Sequence, residues 1–252
     1  MTPDTKQQTE LVTAETEKAK ETEKLRRLIT EARFVLFDFD GPICRLFPGE
    51  TAKQVAKEQV RWLEKEGLRG LLTKEERTEP DPQVVLRTVD RRHPDSDLVF
   101  ELEKRLTLEE LKAAKSAFPT AHVDPLIRTW HALGVRLAVA TNNSPLAATR
   151  YLTTRGLAEC FAPHIYGRTQ DLSLLKPHPH CLNRALNALG AEPSETLMIG
   201  DQPTDVEAAN SAGVHFLGYA RNEDKKEELR DAGAKVIVEE FKSVLKILGG
   251  RV

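Results

Sequence analysis

Two aspartates after a short apolar run are the first residues whose spacing suits chemistry. Asp38 and Asp40 follow the run Phe34–Phe37, and Gly41 comes next. A spacing of two at a strand end can place both carboxylates on one side, while Gly41 lets the backbone turn away. The two side chains could therefore share one substrate. Taken alone, however, the pattern favours an ordinary turn, because Asp and Gly are common turn residues.

Two further sites offer a hydroxyl and an ammonium group. Thr141 follows the apolar run 135–140, and its hydroxyl, with nearby backbone amides, could donate hydrogen bonds to a phosphate oxygen. Its alternative role, the N-cap of the next helix, is filled better by Ser144 before Pro145. Lys176 has a compact positive charge that suits a bridge between an aspartate and a phosphoryl group, although alone it would be interpreted as a surface lysine.

A second pair of aspartates follows another apolar run. Asp201 and Asp205 come after the residues 197–199 and Gly200. Magnesium prefers oxygen ligands and keeps several waters, so two or three carboxylates in one place would suffice to bind it. Capping of a helix that begins near Pro203 explains one of these aspartates but not the whole set.

Apolar runs that alternate with helical segments predict the scaffold that positions these sites. Strands are predicted at 34–37, 135–140, 196–199, 214–219 and 235–238. Helices are predicted from Pro145 to the stop at Gly156, and from His180 to Leu189. This alternation predicts a doubly wound α/β fold with a parallel sheet. In such a sheet, ligands bind beyond the carboxyl ends of the strands, where the polar sites lie.

The region 48–118 interrupts the alternation, because it repeats helical periodicity without a convincing strand. Four helices are predicted in it, namely 52–63, 82–93, one marked by Leu98, Leu102 and Leu106, and one opened by Thr107 and Glu110 as a capping box. The predicted organisation is therefore a charged N-terminal extension (1–32), a discontinuous α/β core (33–47 and 119–252) and a helical insert (48–118). The extension is interpreted as solvated surface, with a partner-docking helix as the alternative.

Composition argues against several classes of partner. The formal net charge of −2 offers no field to attract nucleic acid, and no stretch has the length and apolarity of a membrane span. The three cysteines lie far apart without a CxxC pair, which favours a reducing compartment over a disulfide framework. A cytoplasmic protein without nucleic-acid or membrane partners is expected, and its oligomeric state is left open.

Together the four sites resemble the motif series of the haloacid dehalogenase superfamily, which is DxD, then Ser or Thr, then Lys, then GDxxxD. The resemblance covers the chain from about Arg33 to Ala220. It implies a Rossmannoid core with an inserted α-helical cap, as in relatives of phosphoglycolate phosphatase and β-phosphoglucomutase. Such a cap would exclude water and select the substrate. The dehalogenases lack an aspartate at the position of Asp40, so phosphate chemistry is favoured over carbon–halogen cleavage.

The resemblance also implies roles for the site residues. Asp38 would be the nucleophile that forms an aspartyl-phosphate, and Asp40 the general acid that protonates the leaving group and then activates water. Thr141, Asn142 and Lys176 would bind the phosphoryl group. Magnesium would neutralise the repulsion between the carboxylate and the phosphate. Its implied ligands are Asp38, the backbone carbonyl of Asp40, Asp201 and Asp205.

The predicted function is hydrolysis of the phosphomonoester of a small phosphorylated metabolite. A phosphomutase of the same superfamily and a non-catalytic binding protein on the same fold are the alternatives. Arg45, just after the first motif, could contact a substrate carboxylate or sugar hydroxyl, with an ordinary surface arginine as the alternative. Arg87 is interpreted as a surface residue. The leaving group of the substrate is not identified by the sequence.

Overall fold

A six-stranded parallel sheet forms the centre of the molecule. The computed structural model describes residues 19–250, so residues 1–18 of the predicted extension lie outside the described part. The strands are β1 Phe34–Phe37, β2 Cys44–Arg45, β3 Phe118–Pro119, β4 Arg136–Ala140, β5 Ile165–Tyr166, β6 Thr196–Gly200, β7 His215–Tyr219 and β8 Ile237–Val238. The main sheet has the order β5-β4-β1-β6-β7-β8, and β2 and β3 form a separate antiparallel pair. The predicted parallel α/β fold is confirmed.

Helices cover both faces of this sheet. The first, α1, spans 19–31 within the described residues. The others are α2 Thr51–Lys65, α3 Pro82–Arg92, α4 Asp97–Ala113, α5 Val123–Ala132, α6 Pro145–Thr154, α7 Ala158–Phe161, α8 His180–Leu189, α9 Pro203–Ala212, α10 Glu223–Asp231 and α11 Lys242–Gly249. The apolar sides of α1, α5, α6, α7 and α11 pack against one face, and those of α8 and α9 against the other. The fold is therefore doubly wound, as predicted.

Alternating side chains of the central strand reach both apolar layers. Val35 and Phe37 of β1 belong to the layer that contains Trp130 of α5, whereas Leu36 belongs to the layer that contains Leu182 of α8. This period of two is expected of a strand that is buried on both faces. Because a slip of one residue would exchange the two faces, burial fixes the register of β1 and with it the position of the residues that follow.

Three helices between β2 and β3 share an apolar cluster, which also includes Leu172 and Leu175 from the segment after β5. This cluster includes Val55 and Leu63 of α2, Val85 of α3 and Leu102 of α4. The described residues of this region contain no strand, and β2 and β3 pair at its two ends. These features support the predicted division into core and helical cap, which stays a prediction.

The predicted start of a separate helix at Thr107 is wrong. Helix α4 runs without a break from Asp97 to Ala113, and its N-cap is Ser96. The Thr107 hydroxyl donates instead to a carboxylate oxygen of Glu103 at 2.8 Å. The buried positions of Leu102 and Leu106 lie on one helical face, so burial of that face continues the helix through the capping-box pattern.

Among the described residues, no helix combines the length and the apolar character needed to cross a bilayer. The expected cytoplasmic location stays a prediction.

Candidate active site

Three strand ends bring predicted site residues to one edge of the sheet. Strands β4, β1 and β6 are neighbours, and Thr141, Asp38 and Asp201 follow directly after them. Because the strands are parallel, their carboxyl ends meet at the same edge. The Asp38 backbone N–H donates to the carbonyl of Ile199 at 2.8 Å and so continues the ladder beyond β1. Asp38 therefore lies between the two other strand ends.

Lys176 is a buried cation at this edge, with only 2% of the residue exposed. Its Nζ donates to Oδ1 of Asp38 at 2.9 Å, to Oδ1 of Asp205 at 2.5 Å and to the carbonyl of Ala140 at 3.0 Å. Burial alone would lower the pKa of Lys176, but the charges of Asp205 and Asp38 outweigh it and raise the pKa. Lys176 is thus protonated and holds two carboxylates in place.

The carboxylates of Asp38, Asp201 and Asp205 form an acidic cluster. One oxygen from each lies within 4.8 Å of the others. Oδ1 of Asp201 is buried without a hydrogen-bond partner among the described residues. Burial, followed by the charges of Asp38 and Asp205, raises the pKa of Asp201 well above its usual value. An unpartnered buried carboxylate is costly unless a cation pairs with it, and these oxygen donors fit Mg²⁺.

Two glycines make this close approach of carboxylates possible. A Cβ atom at Gly41 would overlap the carboxyl group of Asp201, and a Cβ atom at Gly200 would overlap that of Asp205. Gly41 also has a φ of +111°, a conformation that residues with a side chain rarely adopt. The glycines beside the acidic motifs therefore serve the packing of the acidic cluster as well as the turn.

Asp205 is held in a fixed orientation by the start of α9. Its Oδ2 accepts hydrogen bonds from the backbone N–H groups of Asp201 at 3.1 Å and Gln202 at 3.0 Å. The same carboxylate binds Lys176 through Oδ1. Helix capping and a role in the site are therefore combined in Asp205, whereas from the sequence they were alternatives.

Asp40 has an environment that suits proton transfer near neutral pH. Its Oδ1 accepts a hydrogen bond from the Leu46 N–H at 2.9 Å. Burial raises the pKa of Asp40 to about 7, the Leu46 hydrogen bond works against this rise, and the charges of Asp38 and Glu110 add to it. A group with a pKa near the working pH can both give and take a proton.

A cavity of about 520 Å³ opens onto these groups, which is within the usual size range of small-molecule sites. Asp38, Asp40, Lys176 and Asp201 line it from the sheet edge, and the start of α3 lines it from the opposite side. Arg87 of α3 donates to the carbonyl of Lys176 at 3.4 Å. The helices between β2 and β3 therefore contribute one wall of the site.

A protein-family model described as haloacid dehalogenase-like hydrolase matches residues 32–213. This match covers well over half of the chain and contains all four motifs. The chain belongs to the haloacid dehalogenase-like hydrolase family. The resemblance stated from the motifs and the prediction of a hydrolase are confirmed.

Curated relatives of this hydrolase carry the names of phosphatases. A phosphoglycolate phosphatase from Rhodospirillum rubrum is 36% identical over 141 residues, which are 54% of this chain and 55% of the relative. The pyrophosphatase PpaX from Halalkalibacterium halodurans is 35% identical over 130 residues, or 46% of this chain and 60% of the relative. The chain thus spans little more than half the length of the relatives it matches.

Solved structures show the same fold. CbbY from Rhodobacter sphaeroides in complex with phosphate has a TM-score of 0.64 at 20% identity, over 86% of this chain and 99% of that one. The haloacid dehalogenase-like protein SP0104 from Streptococcus pneumoniae has a TM-score of 0.60 at 15% identity, over 88% and 100%. At these identities the similarity confirms the Rossmannoid fold of the family.

Thr141 and Asn142 of the hydrolase lie at the predicted edge but make internal hydrogen bonds. Thr141 is buried, and its hydroxyl pairs with the backbone N–H and Oδ1 of Asn143, both at 3.1 Å. Asn142 accepts from the Lys176 N–H at 2.8 Å and donates to the Lys176 carbonyl at 3.1 Å. In this structure, Asn142 therefore positions the backbone of Lys176, and its predicted contact with substrate stays a prediction.

Sequence reasoning missed a buried ion pair beside the site. The guanidinium of Arg168 binds both carboxylate oxygens of Glu110 at 2.9 Å, and both side chains are fully enclosed. Glu110 also accepts from the Asn143 side chain at 3.0 Å and the Ser144 N–H at 2.9 Å. This network joins α4 to the loop that follows β4. A helical Glu and a loop Arg 58 residues apart give no local sequence signal.

Two arginines that line the cavity were not predicted as site residues from the sequence. Arg87 was interpreted as a surface residue, yet it lines the cavity together with Arg45. Arg221, in the loop between β7 and α10, lines it as well and acts to lower the pKa of Asp40. The sequence places Arg221 just after a predicted strand, and that position was the available signal.

Proposed function

We propose that this hydrolase is a magnesium-dependent phosphatase that cleaves the phosphomonoester of a small metabolite through an aspartyl-phosphate on Asp38. The observation that carries the proposal is the Lys176 ammonium group, which binds Asp38 and Asp205 beside the unpartnered oxygen of Asp201. One lysine cannot neutralise three carboxylates. A phosphate dianion can therefore approach Asp38 only when a further cation is present.

The first half of the reaction transfers the phosphoryl group to Asp38. Oδ1 of Asp38 accepts a hydrogen bond from Lys176, whereas Oδ2 accepts none from the residues the structure describes. Oδ2 attacks the phosphorus atom, and the bond from phosphorus to the leaving oxygen breaks. Asp40, whose pKa is raised to about 7, gives its proton to that oxygen. The leaving group departs as a neutral alcohol.

The second half of the reaction releases phosphate. Asp40 is now a carboxylate and takes a proton from water as the water oxygen attacks the phosphorus atom. The bond between phosphorus and Oδ2 of Asp38 breaks, and inorganic phosphate leaves. Both aspartates return to their initial protonation states. Lys176 stays protonated throughout, because Asp38 and Asp205 raise its pKa.

Asp38, Asp201, Asp205 and the backbone carbonyl of Asp40 would hold the magnesium ion. When bound, Mg²⁺ supplies positive charge that offsets the charge of the phosphoryl oxygens as they near Asp38. The names of the relatives, phosphoglycolate phosphatase and pyrophosphatase, support a small phosphorylated compound as the substrate.

Hydrolysis of 4-nitrophenyl phosphate with and without Mg²⁺ tests this function. We expect phosphate release that needs the ion and that Asp38→Asn abolishes while thermal stability is retained. Asp231→Asn, an exposed aspartate of α10, is the matched control and should leave turnover unchanged. An active Asp38→Asn variant would remove Asp38 as nucleophile, and product that contains no free phosphate would favour a phosphomutase.

A further inference from the structure

Two arginines on the cavity wall have guanidinium groups that make no hydrogen bond to the described residues. Arg45 of β2 and Arg221 of the loop before α10 are both exposed and both line the cavity that contains Asp38 and Asp40. Among the residues the structure describes, neither guanidinium forms a hydrogen bond or an ion pair. Each therefore has donors available in a fork that matches the geometry of a carboxylate or a phosphate.

The other cations of the cavity are already engaged. Lys176 is held by two carboxylates and a carbonyl. Arg87 donates to the Lys176 carbonyl at 3.4 Å and acts electrostatically on Asp81, the N-cap residue of α3. Arg45 and Arg221 are thus the lining cations whose hydrogen-bonding capacity, within the described residues, is not used by the protein itself.

Arg45 and Arg221 line the same cavity, although they are distant in sequence. Both act on the hydroxyl of Tyr219, the last residue of β7, where they oppose the rise in its pKa that burial causes. Arg221 also acts on Asp40. The N–H of Leu46, the residue after Arg45, donates to Asp40 at 2.9 Å, and Asp40 lines the same cavity as the two arginines. Because Asp40 is the residue proposed to protonate the leaving oxygen, both arginines are placed on the leaving-group side of the cavity.

We propose that Arg45 and Arg221 form an anion subsite for the leaving group, so that the preferred substrates carry a carboxylate or a second phosphate besides the phosphoryl group that is transferred. This inference rests on the proposed phosphatase function and specifies its substrate class. The phosphoryl group itself would be held by Asp38, Lys176 and the residues proposed to bind Mg²⁺. The cavity volume of about 520 Å³ leaves room for a second charged group.

Three aryl phosphates that differ in one substituent test the subsite. Phenyl phosphate has a neutral leaving group, 4-carboxyphenyl phosphate adds a carboxylate, and 1,4-phenylene bisphosphate adds a second phosphate. The readout is the selectivity, which is kcat/KM for a charged substrate divided by kcat/KM for phenyl phosphate. Comparing this ratio between variants cancels the intrinsic reactivity of each leaving group. The charged substrate whose selectivity changes more in the variants shows whether the subsite prefers a carboxylate or a phosphate.

Arg45→Met and Arg221→Met remove the charge and keep an unbranched side chain. Each should lower the selectivity by a factor of about 10 or more, equal to about 1.4 kcal/mol of differential binding. The loss should fall mainly on KM, because the contact exists in the ground state and the transition state alike. Arg150→Met, at an exposed position of α6 outside the cavity, is the matched control and should keep the wild-type selectivity.

A selectivity that stays at the wild-type value in both variants would overturn the subsite, even if all three rates fall together. An equal decrease in kcat/KM for all three substrates would mean that the arginines contact the phosphoryl group that is transferred. If the wild-type protein hydrolyses none of the substrates, the phosphatase function fails, and binding then decides the subsite. In calorimetry, 4-carboxybenzylphosphonate should bind the wild-type protein more tightly than benzylphosphonate. Arg45→Met and Arg221→Met should remove that preference. Equal affinities of the wild-type protein for the two phosphonates would overturn the subsite.

Discussion

Replacing Arg168 by methionine removes the cation of a fully buried ion pair and leaves its anion in place. Arg168 donates to Glu110 through two nitrogens at 2.9 Å, to Glu103 at 3.0 Å, to Thr107 at 3.0 Å and to the carbonyl of Asn142 at 3.1 Å. Neither Arg168 nor Glu110 has an exposed side chain. The variant therefore buries a carboxylate that has lost its counter-charge.

The expected cost follows from this burial. Breaking a buried ion pair by removing one partner costs about 3–5 kcal/mol. For a chain of this size, 1 kcal/mol corresponds to about 2–4 °C in Tm, so a decrease of roughly 6–20 °C is expected. Arg27→Met is the control, because the ion pair of Arg27 with Glu31 is exposed on both sides and such pairs contribute at most about 1 kcal/mol.

Thermal and urea denaturation of the two variants measure this difference. The double variant Arg168→Met with Glu110→Gln should be more stable than Arg168→Met alone, because the fully buried charge of Glu110 is removed, while the amide oxygen can still accept a hydrogen bond from the Ser144 N–H. An Arg168→Met variant that is as stable as Arg27→Met would show that the buried ion pair does not stabilise the fold. A double variant that is less stable than Arg168→Met alone would show that the buried charge of Glu110 does not cause the loss of stability.

Three further predictions concern the acidic cluster and Asp40. Without Mg²⁺, the Tm should fall as the pH rises from about 4 to about 8. The pKa of Asp40 is raised to about 7, and that of Asp201 is also raised above the usual value near 3.9. The stability that these protonated groups contribute at low pH is therefore lost as each group ionises. In scanning fluorimetry, added Mg²⁺ should raise the Tm most at the alkaline end of this range. Asp201→Asn should reduce both the decrease in Tm with pH and the increase in Tm with Mg²⁺. A wild-type Tm that does not change with pH would contradict this prediction. Gly41→Ala should weaken Mg²⁺ binding in calorimetry, because its Cβ would overlap Asp201, whereas Gly67→Ala, which also has a positive φ but open space, should not; equal affinities would count against the packing argument. Asp40→Asn should slow hydrolysis of an alkyl phosphate far more than that of 4-nitrophenyl phosphate, whose leaving group needs little protonation; equal losses would exclude Asp40 as general acid.

The central strands and the residues that follow them could be predicted because local pattern and burial agree there. The apolar run before Asp38 became a strand buried on both faces, and the residues after such a strand necessarily lie at the sheet edge. The helix that begins at Pro145 was predicted at its observed start, and the helix from His180 to Leu189 at both observed bounds, because Pro and Gly mark such ends by backbone geometry alone.

Contacts between distant segments could not be predicted from local pattern. Strand β5 has only two residues, Ile165 and Tyr166, and lies at an edge of the sheet, so it has no periodicity to detect. The capping-box pattern at Thr107 misled the helix prediction, because Glu110 is committed to Arg168 instead. Lys176 reaches Asp38 across 138 residues of sequence, and only the ordered motifs, not their spacing, pointed to that contact.

Chemical trapping can show whether Asp38 is the carboxylate that carries the phosphoryl group. Borohydride reduces an aspartyl-phosphate to homoserine, so quenching the enzyme with borohydride during turnover of a phosphomonoester and mapping its peptides identifies the carboxylate that carries the phosphoryl group. Homoserine is expected at position 38, only when substrate and Mg²⁺ are both present, and none is expected in Asp38→Asn. Homoserine at Asp40 or Asp201, or continued turnover of the Asp38→Asn variant, would contradict it.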